Sequence, residues 1–305
     1  MLKHPQFKAY LAYVAVAIFW GTTFLAIRLG IKNDGIHFFP PFLLAAFRHS
    51  VAGVLICGYF IIYQKQKLPT WNQFKQFSLN GTLMLVGGNG IISWGMQWID
   101  SGLTALLSAI TPLWIVIINI LMGSKEKVTW PMWLGFLICL LAQYLIFYDK
   151  VQLFNNPNYA WGLAAVIISN VCWALGTVFS KSNKSDFPVL YNAGLQMIPG
   201  GMILFIISTL QGDWTRLNPS NESVMALVYL ILFGSLLAYG CFMYIIKELP
   251  AAFVSTYAYV NTIVAVTLGA IFLKEVINTE VILAMLLTIL GVYLVGKKVK
   301  VKEVG

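Results

Sequence analysis

Charge is what this sequence has least of. Asp, Glu, Lys and Arg together make up 10% of its 305 residues, whereas soluble domains carry about a quarter. A chain so poor in charge cannot clothe itself in polar surface, which excludes an ordinary soluble enzyme. The acidic residues are rarer still, 11 in all. Each lies near the end of an apolar run or between runs, so no paired intramembrane carboxylates are present for aspartyl-type chemistry. H-E-x-x-H, G-x-S-x-G and the P-loop are missing as well, which argues against metalloprotease, serine-hydrolase and ATPase activity.

Cysteine is sparse. Cys57, Cys139, Cys172 and Cys241 stand alone in apolar stretches, with no C-x-x-C and no clustered His. That pattern points to neither a disulfide framework nor a metal site, and no cofactor is expected. The net charge of +9 comes from Lys and Arg scattered over short connectors and the tail, so no basic face exists for nucleic acid.

What the chain does have is hydrophobic residues, 59% of the total. A membrane span needs roughly 20 of them in a row to cross about 30 Å of hydrocarbon. Such runs cover residues 9–31, 38–63, 76–98, 102–123, 129–148, 159–180, 188–210, 223–246, 250–273 and 277–296. The expected fold is therefore an all-α membrane protein with ten transmembrane helices and the lipid bilayer as its solvent. The N-terminal run is long enough to span and no small-residue cleavage site follows it, so it reads as a retained first helix.

With the N-terminus inside, most Lys and Arg of the short connectors fall on the cytoplasmic side, among them Lys65, Lys67, Lys75, Lys181, Lys184, Lys247 and Lys297. The other side receives Lys32, Lys150, Arg216 and Lys274. This positive-inside asymmetry fits an even number of spans with both termini cytoplasmic. Short connectors suit a bacterial inner membrane.

The two halves resemble each other. Residues Ile110 to Thr129 align with Tyr259 to Asn278 at an offset of 149, which superposes Lys125-Glu126 on Lys274-Glu275. Pro40 with Pro188 and Gly53 with Gly201 match at an offset of 148. Two halves, 1–150 and 151–305, would each hold five helices. An odd number forces the second copy into the membrane upside down, the inverted-repeat arrangement of secondary transporters, with a site near the midplane between the halves.

On these residues the chain resembles the drug/metabolite transporter superfamily, in particular its EamA-type ten-helix carriers. The resemblance rests on Trp20-Gly21-Thr22 with Phe24, on Pro41 and Arg48, on Gly102 with Thr111-Pro112, and on Glu126, Gly135, Glu275 and Gly291. It implies a carrier that exports amino acids or related small amphipathic metabolites by alternating access. Multidrug, nucleobase or sugar-derivative transport is the alternative, and a membrane-embedded enzyme or a channel the alternative of another class. Asn261 stands where the first repeat has Pro112.

Arg48 lies eight residues past Pro40, roughly 12 Å into the bilayer. With no buried carboxylate to meet, it either receives an anionic group of the solute or binds helix-end carbonyls as a brace. The embedded indoles Trp20, Trp94 and Trp173 need partners for their N–H groups, in a wet cavity or in helix packing. Asn89, Ser108, Gln196, Tyr239, Tyr257 and Asn261 are embedded polar groups from both halves, either cavity lining or interhelical glue. The glycines around Asn89 allow the third helix to bend. Glu126 and Glu275 are either solvated charges or, by the resemblance, a gate-closing ion pair. The substrate is a small molecule. Only His49 is deep enough to relay protons, so facilitated diffusion or exchange is expected, and the oligomeric state is not fixed by the sequence.

Overall fold

A computed structural model describes residues 5–33, 36–123, 129–148, 156–182, 185–249, 254 and 256–296. The described chain is helical apart from connectors and one two-residue antiparallel ribbon, β1 (Lys32–Asn33) with β2 (Ile36–His37). We number the helical runs α1 (Pro5–Ile31), α2 (Pro41–Ile62), α3 (71–95), α4 (Ser101–Leu121), α5 (Trp130–Tyr148), α6 (Pro157–Ser182), α7 (Val189–Leu210), α8 (Asn221–Glu248), α9 (Tyr257–Leu273) and α10 (Thr279–Gly296). Among the described residues six of them, α1, α2, α4, α6, α7 and α8, are long and apolar enough to cross a membrane, and α5, α9 and α10 contain shorter apolar helices.

Local sequence sets the ends. α2 and α7 start after Pro40 and Pro188, whose backbones are nearly identical at φ −55°, ψ 136° and φ −52°, ψ 141°. α3 begins five residues before the apolar run does, because Thr70 and Gln73 form a reciprocal capping box ahead of it. Ser220 and Ser223 cap α8 in the same way. The third helix, which the glycines around Asn89 allow to bend, and the eighth both depart from regular α geometry. α3 passes through a π-helical stretch at Thr82–Gly90 and α8 through one at Leu230–Tyr239. Their starts lie 148 residues apart, the offset already seen between Gly53 and Gly201. α4 is interrupted between Ser108 and Thr111, where Pro112 cannot donate to the Ser108 carbonyl.

α2 packs along α7 over its whole length. Phe47 meets Phe205 with ring centroids 5.1 Å apart, and Phe60 meets Tyr191 at 5.4 Å. Midway, a β-carbon at Gly53 would lie 3.0 Å from the Ile198 amide nitrogen, and one at Gly201 would lie 2.9 Å from that of Ser50. Numbers rise along one helix as they fall along the other, so α2 and α7 are antiparallel. α5 and α10 pair likewise, with Gly291 against Gly135 and Ala142 in the same apolar cluster as Ala284. Around these two pairs, α1 packs on α8 and α9, and α6 on α3 and α4.

One end of the bundle gathers the start of α1 with the ends of α2 and α8, around Tyr13, Phe60, Tyr244 and Leu249. The opposite end gathers the end of α1 with Phe38, Phe39 and Met96. They are the near and far ends below.

Candidate functional site

Between α1, α3, α4, α6 and α9 lies a cavity with about 650 Å³ of empty space, counting the part open to solvent. It reaches from the middle of the bundle toward the far end, from Trp173 and Tyr257 to Ile27 and Ile92.

The floor is aromatic. Trp20 of α1 and Trp173 of α6 meet edge to face with centroids 5.2 Å apart, and Tyr257 stands 5.2 Å from Trp20. The glycines of the π stretches receive both indoles. Trp20 Nε1 donates to the Gly234 carbonyl at 3.0 Å, and Trp173 lies so close over Gly88 that a β-carbon there would come within 2.8 Å of its ring. A π stretch widens the helix and releases carbonyls from the i→i−4 ladder. Side chains take up several of these: Asn89 Nδ2 donates to Met84 O at 3.4 Å and Ser93 to Asn89 O at 2.7 Å.

The walls carry amides and hydroxyls. Pro112 frees the Ser108 carbonyl, which accepts from Thr111 Oγ1 at 2.6 Å, and Asn170 Nδ2 donates to Leu107 O at 3.2 Å. Among the described residues that line the cavity, two buried groups have no hydrogen-bond partner: Asn261 Oδ1, an acceptor, and Trp173 Nε1, a donor that faces Tyr257 without well-formed hydrogen-bond geometry. No charged side chain is among the described residues that line the cavity.

Of the residues singled out from sequence, Trp20, Asn89, Ser108, Trp173, Tyr257 and Asn261 meet here. The others lie elsewhere. Trp94 packs against Trp98 and on an apolar cluster with Phe42 and Leu204. Gln196 and Tyr239 are joined at 2.8 Å in a buried polar seam below the floor. Arg48 is buried between α2 and α8, where Nε donates to Ser235 Oγ at 2.8 Å and the guanidinium and Thr23 both lie against Gly234. Replacing Arg48 by Ala is expected to cost about 1–3 kcal/mol, the range for orphaning a buried partner, read as a lower unfolding temperature in detergent.

Sequence reading passed over Thr23, Ser169 and Asn170, and named Phe24 and Thr111 only as residues that carry the resemblance. Asn170 was detectable, as an amide in the middle of an apolar run. Glu126 lies outside the described residues. Glu275 bonds no lysine among them; its carboxylate accepts from Ser101 N (2.9 Å), Ser101 Oγ (2.6 Å) and Gly102 N (2.9 Å), capping the start of α4.

Comparison with known proteins decides the family. The EamA-like transporter family matches residues 7–148 and again residues 160–297. The chain belongs to the EamA-like transporter family. It is a multi-pass membrane protein and a transporter. An uncharacterized inner membrane transporter of Escherichia coli (strain K12), YedA, is 32% identical over 296 residues, covering 94% of this chain and 92% of that one. The uncharacterized transporter YoaV of Bacillus subtilis (strain 168) is 25% identical, covering 94% and 96%. A solved crystal structure shares the fold at a TM-score of 0.70, with 17% identity over 94% of this chain and 96% of the other.

Proposed function

We propose that this EamA transporter is a ten-helix secondary carrier that exports small amphipathic solutes, amino acids or related compounds foremost, by alternating access. Its halves, 1–150 and 151–305, act as inverted five-helix repeats with both termini in the cytoplasm. The antiparallel packing of α2 on α7 supports this, because repeat-equivalent helices must run oppositely if one copy is inverted. The Gly53–Ile198 and Ser50–Gly201 contacts exchange under the 148-residue offset, as expected for a repeat axis near residue 51, mid-helix. An axis at that depth is where transporters bind solute.

The observation that carries the reading is the cavity itself, aromatic on its floor, amide- and hydroxyl-bearing on its walls, and uncharged. A net charge in such a site would lose its hydration without a counter-charge. The solute therefore carries no net charge and offers an apolar face to Trp20, Trp173 and Tyr257. Arg48, tied to Ser235, acts as a brace within the bundle and not as an anion receptor.

The test is uptake of a panel of radiolabelled neutral, acidic and basic amino acids into liposomes containing the purified protein. Saturable, trans-stimulated uptake of neutral members only is expected. Asn261→Ala should weaken it on the order of tenfold, the effect of about 1.4 kcal/mol from one buried hydrogen bond. Equal uptake of acidic or basic members would refute the uncharged-solute reading, and non-saturating flux would indicate a channel. If no amino acid is carried while neutral nucleobases are, the same aromatic and amide groups serve planar heterocycles.

A further inference from the structure

Beneath the aromatic floor, toward the near end, lies a second cavity with about 360 Å³ of empty space, again counting the part open to solvent. Asn80, Ser180, Asn192, Gln196, Met243 and Lys247 line part of it. The two cavities share no lining residue. Between them stand Met84, Tyr239 and Phe242, each no more than 1% exposed, and a chain of hydrogen bonds that crosses four helices. Tyr239 of α8 donates to Gln196 Oε1 of α7 at 2.8 Å, Asn80 Nδ2 of α3 donates to the same oxygen at 2.7 Å, and Asn80 also bonds Ser180 Oγ of α6.

We infer that this Asn80–Gln196–Tyr239–Ser180 seam is the closed near-end gate of the transport path, and that the second cavity is the vestibule beyond it. The inference rests on the carrier reading above and adds the place where the path must part. Three observations carry it. The seam joins α3, α6 and α8 to α7, and α3 and α6 also wall the first cavity, so parting it would connect the two spaces. It is built of groups that water or solute can satisfy once they separate, whereas an apolar plug would gain nothing from wetting. Asn80 is 3% exposed and its Oδ1 has no partner, so an acceptor stands ready between the cavities. Asn80 also sits two residues before the π stretch of α3, where the irregular backbone is suited to a change of helix geometry.

The alternative is static glue between helices. Cysteine accessibility separates the two without a known solute. In a background with Cys57, Cys139, Cys172 and Cys241 replaced, Ser108→Cys places one thiol in the first cavity. Its reaction with a membrane-impermeant maleimide is followed from each face of oriented vesicles. For the intact seam, reaction from the far-end face is expected to dominate. Asn80→Ala with Gln196→Ala should raise the rate from the near-end face about tenfold, since membrane hydrogen bonds of this kind average about 0.6 kcal/mol each. Ser180→Ala, a gentler change that keeps the packing, should raise it about threefold. Unchanged near-end rates in variants that remain monodisperse would overturn the gate while leaving the carrier reading intact. A thiol that reacts from neither face would show that the first cavity has no aqueous access, and would overturn the carrier reading and the gate together.

Discussion

Glu275→Ala is expected to loosen the far end of the protein and abolish transport. α9 ends at Leu273, and Lys274 adopts a left-handed conformation at φ 54°. The Lys274 and Glu275 amides both return to the Gly269 carbonyl, the latter at 3.2 Å. This left-handed turn at the helix end throws the Glu275 side chain across to α4. There its two oxygens take three hydrogen bonds from Ser101 and Gly102, at a helix N-terminus where backbone N–H groups have no partner of their own.

The close fit around the carboxylate marks a built site. A β-carbon at Gly269 would come within 2.3 Å of Oε2, and one at Gly102 within 2.9 Å. Removing the carboxylate deletes three bonds worth about 1 kcal/mol each, so the protein should lose about 3 kcal/mol. The check is thermal unfolding of detergent-purified protein beside liposome uptake. Glu275→Gln keeps the size and one acceptor oxygen, and should fall between. An alanine variant that unfolds at the wild-type temperature would show the latch to be inert.

Gly81→Val is expected to prevent folding altogether. Gly81 sits where α3 crosses α7, and its β-carbon would lie 2.3 Å from the Gln196 carbonyl oxygen and 3.2 Å from the carbonyl carbon. The obstacle is backbone, which cannot rotate away as a side chain can. α3 and α7 would have to separate, breaking the Asn80–Gln196 bond next to the crossing. The penalty should exceed about 4 kcal/mol, the exceptional range for a single substitution. The measurement is the monodisperse fraction after detergent extraction. Gly58→Val is the control, because nothing lies within 4 Å of a β-carbon there. Equal yields of the two variants would refute the close crossing.

Much of the fold was legible because lipid leaves a chain few options. A backbone in hydrocarbon must satisfy its own hydrogen bonds, so apolar runs are helices and the punctuation between them marks their ends. Pro40 and Pro188 fixed the entries of α2 and α7 in this way. The start of α3 was less legible, since its first turns are polar and the Thr70 capping box, not hydrophobicity, begins it. The π stretches left no compositional trace beyond glycines near Asn89 and at Gly234.

The site was half legible. Embedded amides and indoles stand out against apolar surroundings, which is why Trp20, Asn89, Ser108, Trp173, Tyr257 and Asn261 could be named in advance. Which of the embedded polar groups share one space depends on helix rotation, and a rotation of a few tens of degrees leaves the sequence pattern almost unchanged. Arg48 shows the limit: it is buried in the bundle, but its direction, toward Ser235 of α8, is set by a contact 187 residues away along the chain.

By itself, then, the sequence determined that this chain lives in a membrane, that its helices begin and end near the observed residues, and that its halves resemble each other, because transfer from water to lipid acts residue by residue. Only the tertiary structure decided that Glu275 caps α4, that Arg48 turns to α8, and that an uncharged cavity and a hydrogen-bonded seam lie in series. These depend on which faces meet, and that is fixed by close backbone approaches and pairwise bonds between segments far apart in the chain.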